Sequence, residues 1–342
     1  MRNAVVAVAL MVWASMATAL EIEEEAILPG QPGGETLAIL STTDTAYFRP
    51  VLEAFQRANP ELTIRYVVAG SQDVYAAVTE RKMAFDVAIS SAMDLQMKLA
   101  NDGLALPHEP GAALPLPDWA QWQDRVFSIA QEPVVLVLSR PALDGLRLPQ
   151  TRRDLVDLLR DHPDRFQGRV GTYDPRQSGA GYLFATQEAR QSDSFWRLAE
   201  VMGAVDPLLY SSSVDMLDDL ESGRLTIAHN VLGSYAADRV GDDSDLVAVE
   251  YQDFTLTLLR TALIPDNAPN PEAAGVFIDF LLSAEGRRLI GAEAGLPPVN
   301  EAALMQNPHL RPIRLDPGLL VYLDKMKRRA FLEEWSAAMF QP

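Results

Sequence analysis

The chain has 342 residues, a length that implies two lobes of ordinary size, and 48% of them are hydrophobic, enough to fill sizeable cores. Its 29 lysines and arginines stand against 47 aspartates and glutamates, and the resulting charge of -18 argues against a nucleic-acid partner, whose phosphates must be neutralised by cations. The absence of cysteine excludes disulfides, thiolate metal sites and cysteine nucleophiles together.

Residues 1–19 read as a secretory signal peptide. Arg2 supplies the positive start, Ala4 to Ala14 is an apolar run too short to span a bilayer, and Ala17-Thr18-Ala19 has the small-x-small pattern of a cleavage site. The mature chain would then begin at Leu20 in a periplasm, with an uncleaved anchor as the plain alternative. Residues 20–35, acidic and carrying Pro29, Gly30, Pro32, Gly33 and Gly34, read as a flexible lead-in.

Order is expected from Thr36. Thr36 to Leu40 has the length of a buried strand and ends in Ser41-Thr42-Thr43-Asp44; Phe48, Val51, Leu52 and Phe55 then recur at helical spacing up to Asn59-Pro60. The pattern repeats with a strand at Leu62 to Val68, a helix at Ser71 to Lys82, a strand at Phe85 to Ile89 closed by Ser90-Ser91, and a helix from Met93. Strands and helices in this alternation imply a parallel sheet with right-handed crossovers, and ligands of such sheets bind beyond the carboxyl ends of the strands. Those ends carry the hydroxyls of Ser41 to Asp44 and of Ser90-Ser91.

Trp119 and Trp122 read as packing residues. Pro133 to Leu138 is a strongly apolar strand, and the chain crosses to a second lobe just before it. Arg169 to Gln187 is the most informative stretch: a short strand, a break at Asp174-Pro175, then Ser178 placed to cap a helix whose first turn holds Gly179 and Gly181. Unpaired N–H groups at such a helix start make an anion seat, with a strand-to-helix connection of no function as the plain alternative. Ser211-Ser212-Ser213 before a helix, and His229-Asn230 leading to Gly233-Ser234-Tyr235, repeat the arrangement. Phe254 to Leu259 and Thr261 to Ile264 look like two strands returning the chain to the first lobe, and Pro317 to Met339 reads as helical with Leu319, Leu320, Leu323 and Met326 buried.

The reading is an α/β chain of two lobes, residues 36–130 with 260–342 and residues 131–259, each a mainly parallel sheet flanked by helices. This arrangement resembles the type II periplasmic solute-binding proteins of ABC importers, and among them the ferric-iron-type group. The resemblance spans the mature chain and is carried by Ser41-Thr-Thr-Asp44, Asp86 to Asp94, Asp174-Pro175 with Ser178-Gly-Ala-Gly-Tyr182, Asn230 to Tyr235, and Phe277 to Leu282 with Glu285-Gly286. It implies a cleft with Ser41, Thr42, Thr43, Ser90 and Ser91 on one wall and Ser178, Gly179, Tyr182, Asn230 and Tyr235 on the other; the turn chemistry adds Asp44 and Ser212.

The ligand expected there is a small anion, an organic phosphate, phosphonate or carboxylate, or ferric iron with an anion. The Tyr-Tyr pair that ferric binders of the group commonly present does not occur, and convergence of Tyr182, Tyr210 and Tyr235 in space would keep iron as an alternative. The four histidines are isolated, and no resident cofactor or metal is implied. The expected role is a monomeric receptor delivering solute to an ABC permease. One alternative is a receptor for a membrane sensor kinase. A remote one is an exported hydrolase, for which no Gly-x-Ser-x-Gly or His-Glu-x-x-His motif is present.

Overall fold

The structure is a computed structural model that describes residues 20–80, 83–111, 115–241 and 244–341. The signal-peptide reading of residues 1–19 lies outside these residues. From one edge the hydrogen-bonded strands run Ile22–Leu28, Thr63–Ala69, Thr36–Ser41, Val87–Ser90, Thr255–Pro265, Val126–Ser139, Ile227–Leu232, Val170–Tyr173 and Leu208–Tyr210. The three strands beginning at Thr36, Thr63 and Val87 are parallel, as are those beginning at Val170, Leu208 and Ile227. Each set forms the sheet of one lobe.

Between the sets lie the two long strands, antiparallel to one another. In the strand Val126–Ser139, Phe127 to Pro133 pair with Thr257 to Ala262, and Val134 to Leu138 pair with Ile227 to Leu232. The Thr255–Pro265 strand pairs through Thr261 to Leu263 with the first lobe. It is one continuous strand where two were expected, and its ladder is irregular between Arg260 and Thr261. The Val126–Ser139 strand therefore bonds to both lobes, and the Thr255–Pro265 strand runs beside it from the second lobe's side into the first-lobe sheet.

Two expectations about the chain ends are corrected. Residues 22–28 are not a flexible lead-in but an edge strand, antiparallel to Thr63–Ala69, with Glu25 ion-paired to Arg65 at 2.7 Å. Its run of glutamates suits a sheet edge, where charge discourages pairing with another chain. At the other end, residues up to 342 do not all stay with the first lobe. The helix Lys325–Met339 packs on the second-lobe helix Ser194–Gly203, and Phe331, Trp335 and Met339 join the second lobe's core. Gly203 permits this approach, since a Cβ there would lie 2.3 Å from the Ala338 carbonyl oxygen. Leu319 is buried as expected, but Met326 is 82% exposed.

Each lobe has its own apolar core, around Phe48, Phe55 and Phe277 in the first and Leu155, Phe166 and Tyr182 in the second. A third cluster runs through the seam, joining Met93, Met97 and Leu99 of the first lobe to Leu183, Phe184 and Tyr235 of the second. The lobes are thus closed on one another.

The seam also buries a carboxyl group. Asp94 is 2% exposed and its Oδ1 has no hydrogen-bond partner. Loss of water pushes its pKa up to about 7, against the lowering effect of the backbone amides of Leu95 and Asp94 and of Arg328. The folded chain therefore holds a proton that the unfolded chain, with an ordinary aspartate pKa of about 4, has already lost, and stability declines as pH rises from about 4 to about 7. Asp94→Asn is expected to match the parent in urea denaturation at pH 4 and to exceed it at pH 8. A variant less stable than the parent at pH 8 would contradict this account.

Candidate functional site

Two sets of three parallel strands end at the seam, and the turns that follow them form the walls of a narrow interlobe cleft of about 50 Å³. Thr42, Asp44, Gly70, Ser71 and Ser91 line it from the first lobe, with Glu23 on the edge strand. Tyr173, Ser178, Ala180, Ser211, Ser212, Ser213, Leu232 and Tyr235 line it from the second.

Direct bonds join the walls. The Tyr235 hydroxyl donates to Asp44 Oδ2 at 2.6 Å, and the Tyr47 hydroxyl donates to Asp238 Oδ2 at 3.1 Å, with the Tyr47 and Tyr235 rings edge to face at 4.9 Å. Ser71 Oγ accepts from the backbone N–H groups of both Gly179 (2.9 Å) and Ala180 (3.3 Å). Two amides at the start of the thirteen-residue helix Gly179–Gln191 thus converge on a single oxygen from the other lobe.

Beneath the cleft a buried network ties both lobes to the long strands. Arg260 donates through Nε to Glu132 Oε1 at 2.9 Å and through Nη1 to Thr43 Oγ1 at 2.6 Å, while Ser234 donates to the other Glu132 oxygen. Arg260 and Glu132 are both fully buried. Arg260 Nη2 has no partner, leaving both of its N–H donors unspent beneath the cleft.

The sequence-expected residues divide into three groups. Thr42, Asp44, Ser91, Ser178, Ser212 and Tyr235 line the cleft, and Gly179 meets it through its amide. Ser41, Thr43 and Ser90 lie behind the wall: Ser41 Oγ accepts from Thr43 N, Ser90 Oγ accepts from Ala92 N, and Thr43 holds Arg260. Tyr182 and Asn230 are turned away. The Tyr182 hydroxyl donates to the Tyr322 carbonyl at 2.5 Å, on the face where Phe331 packs. Asn230 sits in an irregular part of the strand Ile227–Leu232 at a left-handed φ of 63°, which sends its side chain to Glu188, itself held by the buried Arg152. His229 is buried against Thr172, and burial lowers its pKa to about 4, so the ring is neutral.

Tyr182, Tyr210 and Tyr235 do not converge: they bond to Tyr322, Asp219 and Asp44 respectively. Among the described residues no group of three or more His, Asp or Glu side chains is placed to hold a metal ion.

Most of the amide ends expected to await an anion are occupied by the chain's own hydroxyls. Ser178 caps Gly181 N, Ser212 caps Val214 N, and Thr42 Oγ1 accepts from Ser91 N. Glu23, Ser71, Tyr173 and Arg260 were missed in the sequence. Ser71 was findable, since Gly70-Ser71 follows a strand as Ser41-Thr42 does; Glu23 was hidden by the lead-in reading.

Two α/β lobes, two long strands between them and a polar cleft at the strand ends define a solute-binding protein of the periplasmic-receptor type. Residues 37–296 match the family of bacterial extracellular solute-binding proteins, and the chain belongs to that family. It is 33% identical to the substrate-binding protein of an ABC transporter from Agrobacterium tumefaciens, whose crystal structure superposes with a TM-score of 0.88 over 94% of this chain and 100% of that one. It is 26% identical over 255 residues to a probable ABC transporter periplasmic-binding protein, y4fP, of Sinorhizobium fredii, covering 72% of this chain and 69% of the relative. The fold is also that of the periplasmic binding protein AfuA from Actinobacillus pleuropneumoniae, solved with fructose-6-phosphate bound (16% identity, TM-score 0.71, 90% and 99% coverage).

Proposed function

We propose that the chain is the periplasmic receptor of an ABC importer and that it closes over a small organic anion rich in hydroxyl groups, such as a sugar phosphate. The observation that carries this reading is the convergence of the Gly179 and Ala180 amides on one oxygen at the start of a long helix. An anionic oxygen in the place of Ser71 Oγ accepts the same two bonds and adds a favourable interaction with the helix dipole.

The carboxylates Glu23 and Asp44 repel the charged end of such a solute but accept hydrogen bonds from its hydroxyls, which places the charge toward Gly179 and the polyol toward Asp44. Burial raises the pKa of Glu23, and so do Asp44, Asp215 and Asp73, so a neutral donor-rich body suits this side of the cleft. Ferric iron is less well served. Tyr182, Tyr210 and Tyr235 each bond to a separate partner, Tyr322, Asp219 and Asp44, and so do not present a shared set of phenol oxygens. The relatives are transport receptors, and nothing among them favours the sensor-kinase alternative.

The test is a thermal-shift panel of fructose 6-phosphate, fructose, inorganic phosphate, ferric citrate, thiamine and 4-aminobutyrate, read beside native mass spectrometry. A ligand that binds only the folded chain raises its melting temperature with concentration. The expected result is a shift with the sugar phosphate, a smaller one with phosphate and none with fructose. A shift with thiamine or ferric citrate alone would contradict the reading.

A further inference from the structure

We propose that the basic face at the start of the last helix is a docking surface for an acidic segment of the importer's membrane permease. Lys325, Lys327, Arg328 and Arg329 fall within five positions of a chain whose net charge is -18. Among the described residues none of the four makes an ion pair; other exposed arginines such as Arg49 and Arg57 make none either, so the distinguishing feature is the crowding of four cations into five positions.

Their position is unfavourable for the helix itself. They occupy the first turns of Lys325–Met339, beside the partly positive end of the helix dipole, where acidic residues are preferred. Asp324, which caps the helix through Met326 N and Lys327 N, offsets only part of this. Arg328 alone of the four acts on an internal carboxyl group, that of Asp94, and the other three cations, which cost the helix stability, are explained by something outside the chain.

The shape and place of the cluster indicate the partner. Lys325, Arg328 and Arg329 line an open groove with Arg176, Leu332, Glu333 and Ser336. Arg176 is already held by Asp174 at 2.7 and 2.8 Å, and Glu333, one turn after Arg329 in the same groove, makes no ion pair with the cluster. Met326 and Val321, 82% and 41% exposed, add apolar contacts beside the cations. A groove of arginines with an exposed methionine is the make-up of a protein interface, and a flat lipid surface has no use for the concavity.

The groove also lies where the state of the lobes can be read. The turn Pro317–Leu323 packs on the first-lobe helix Met93–Asn101, the helix after it packs on the second lobe, and Arg328 lies over the Tyr182 ring at 5.2 Å. A partner seated there touches a segment that bridges the seam. This proposal rests on membership of the family and is independent of which solute fills the cleft.

The experiment compares the parent with Lys325→Glu/Lys327→Glu/Arg329→Glu, three exposed positions, for binding to the permease–ATPase complex of its importer in phosphatidylglycerol-containing nanodiscs and to empty discs of the same lipid. The parent is expected to bind the loaded discs and not the empty ones, with affinity falling as salt rises. The variant should lose at least tenfold in affinity and its stimulation of ATP hydrolysis, while its melting temperature stays level or rises and its thermal-shift profile across the solute panel is unchanged. Equal binding by the variant overturns the proposal, and equal binding of the parent to empty discs overturns it in favour of a lipid surface.

Discussion

Arg260→Met is expected to destabilise the chain by about 3–5 kcal/mol, read as a lowered urea midpoint, because it leaves Glu132 charged, buried and without its cation. The Glu132–Arg260 pair is fully buried, and its bonds to Thr43 and Ser234 reach the first lobe and the second. Removing both charges together is a different matter. The double variant Arg260→Met/Glu132→Leu has no stranded ion, and buried pairs replaced by apolar residues are often neutral in stability. It should recover most of the loss while relaxing the link between the lobes. If the single variant is as stable as the parent, the pair is not the structural tie described here.

Gly179→Val is expected to weaken closure by about 1–3 kcal/mol, or roughly 5- to 150-fold in the closed population and in solute affinity. A Cβ at Gly179 would stand 2.8 Å from Leu95 Cδ1, 2.9 Å from Ser71 Oγ and 3.1 Å from Ala92 Cβ, all on the opposite lobe. The overlap lies between the lobes and not within the second lobe, where Ser178 still caps the helix. Chemical denaturation of each lobe should therefore change little while affinity for the panel's binder falls. Retained affinity would mean that Gly179 does not lie at the closing contact.

These two sites differ in how far the sequence disclosed them. The position of Gly179 at a helix start was legible because its signals are local: a strand end, a proline break and a serine cap surround it within a few residues. The alternation of strands and helices likewise disclosed the lobes, and Pro133 to Leu138 with Phe254 to Ile264 disclosed the crossing. Arg260 was not legible, since a single arginine in an apolar strand acquires meaning only when Glu132 and Thr43 are brought to it from distant parts of the chain. The orientation of Tyr182 and Asn230 was lost for a related reason. Helix phase decides which side of the Gly179–Gln191 helix faces Phe331, and a local irregularity decides where Asn230 points, neither of which residue type reveals. The edge strand at Ile22 was obscured by its glutamates, which suit an exposed edge as well as they suit a flexible segment.

Closure itself can be measured directly, and the lack of native cysteine makes the labelling clean. Ala46→Cys on the first lobe and Ala237→Cys on the second are exposed beside Tyr47 and Asp238, which meet across the mouth of the cleft. Spin labels at these two sites report the interlobe distance by double electron–electron resonance. With fructose 6-phosphate at saturation, or with whichever compound gives the largest thermal shift, the distribution should narrow to its shortest component, and Gly179→Val should broaden it toward longer distances. A distribution that saturating solute leaves unchanged would contradict a receptor that works by closing its lobes.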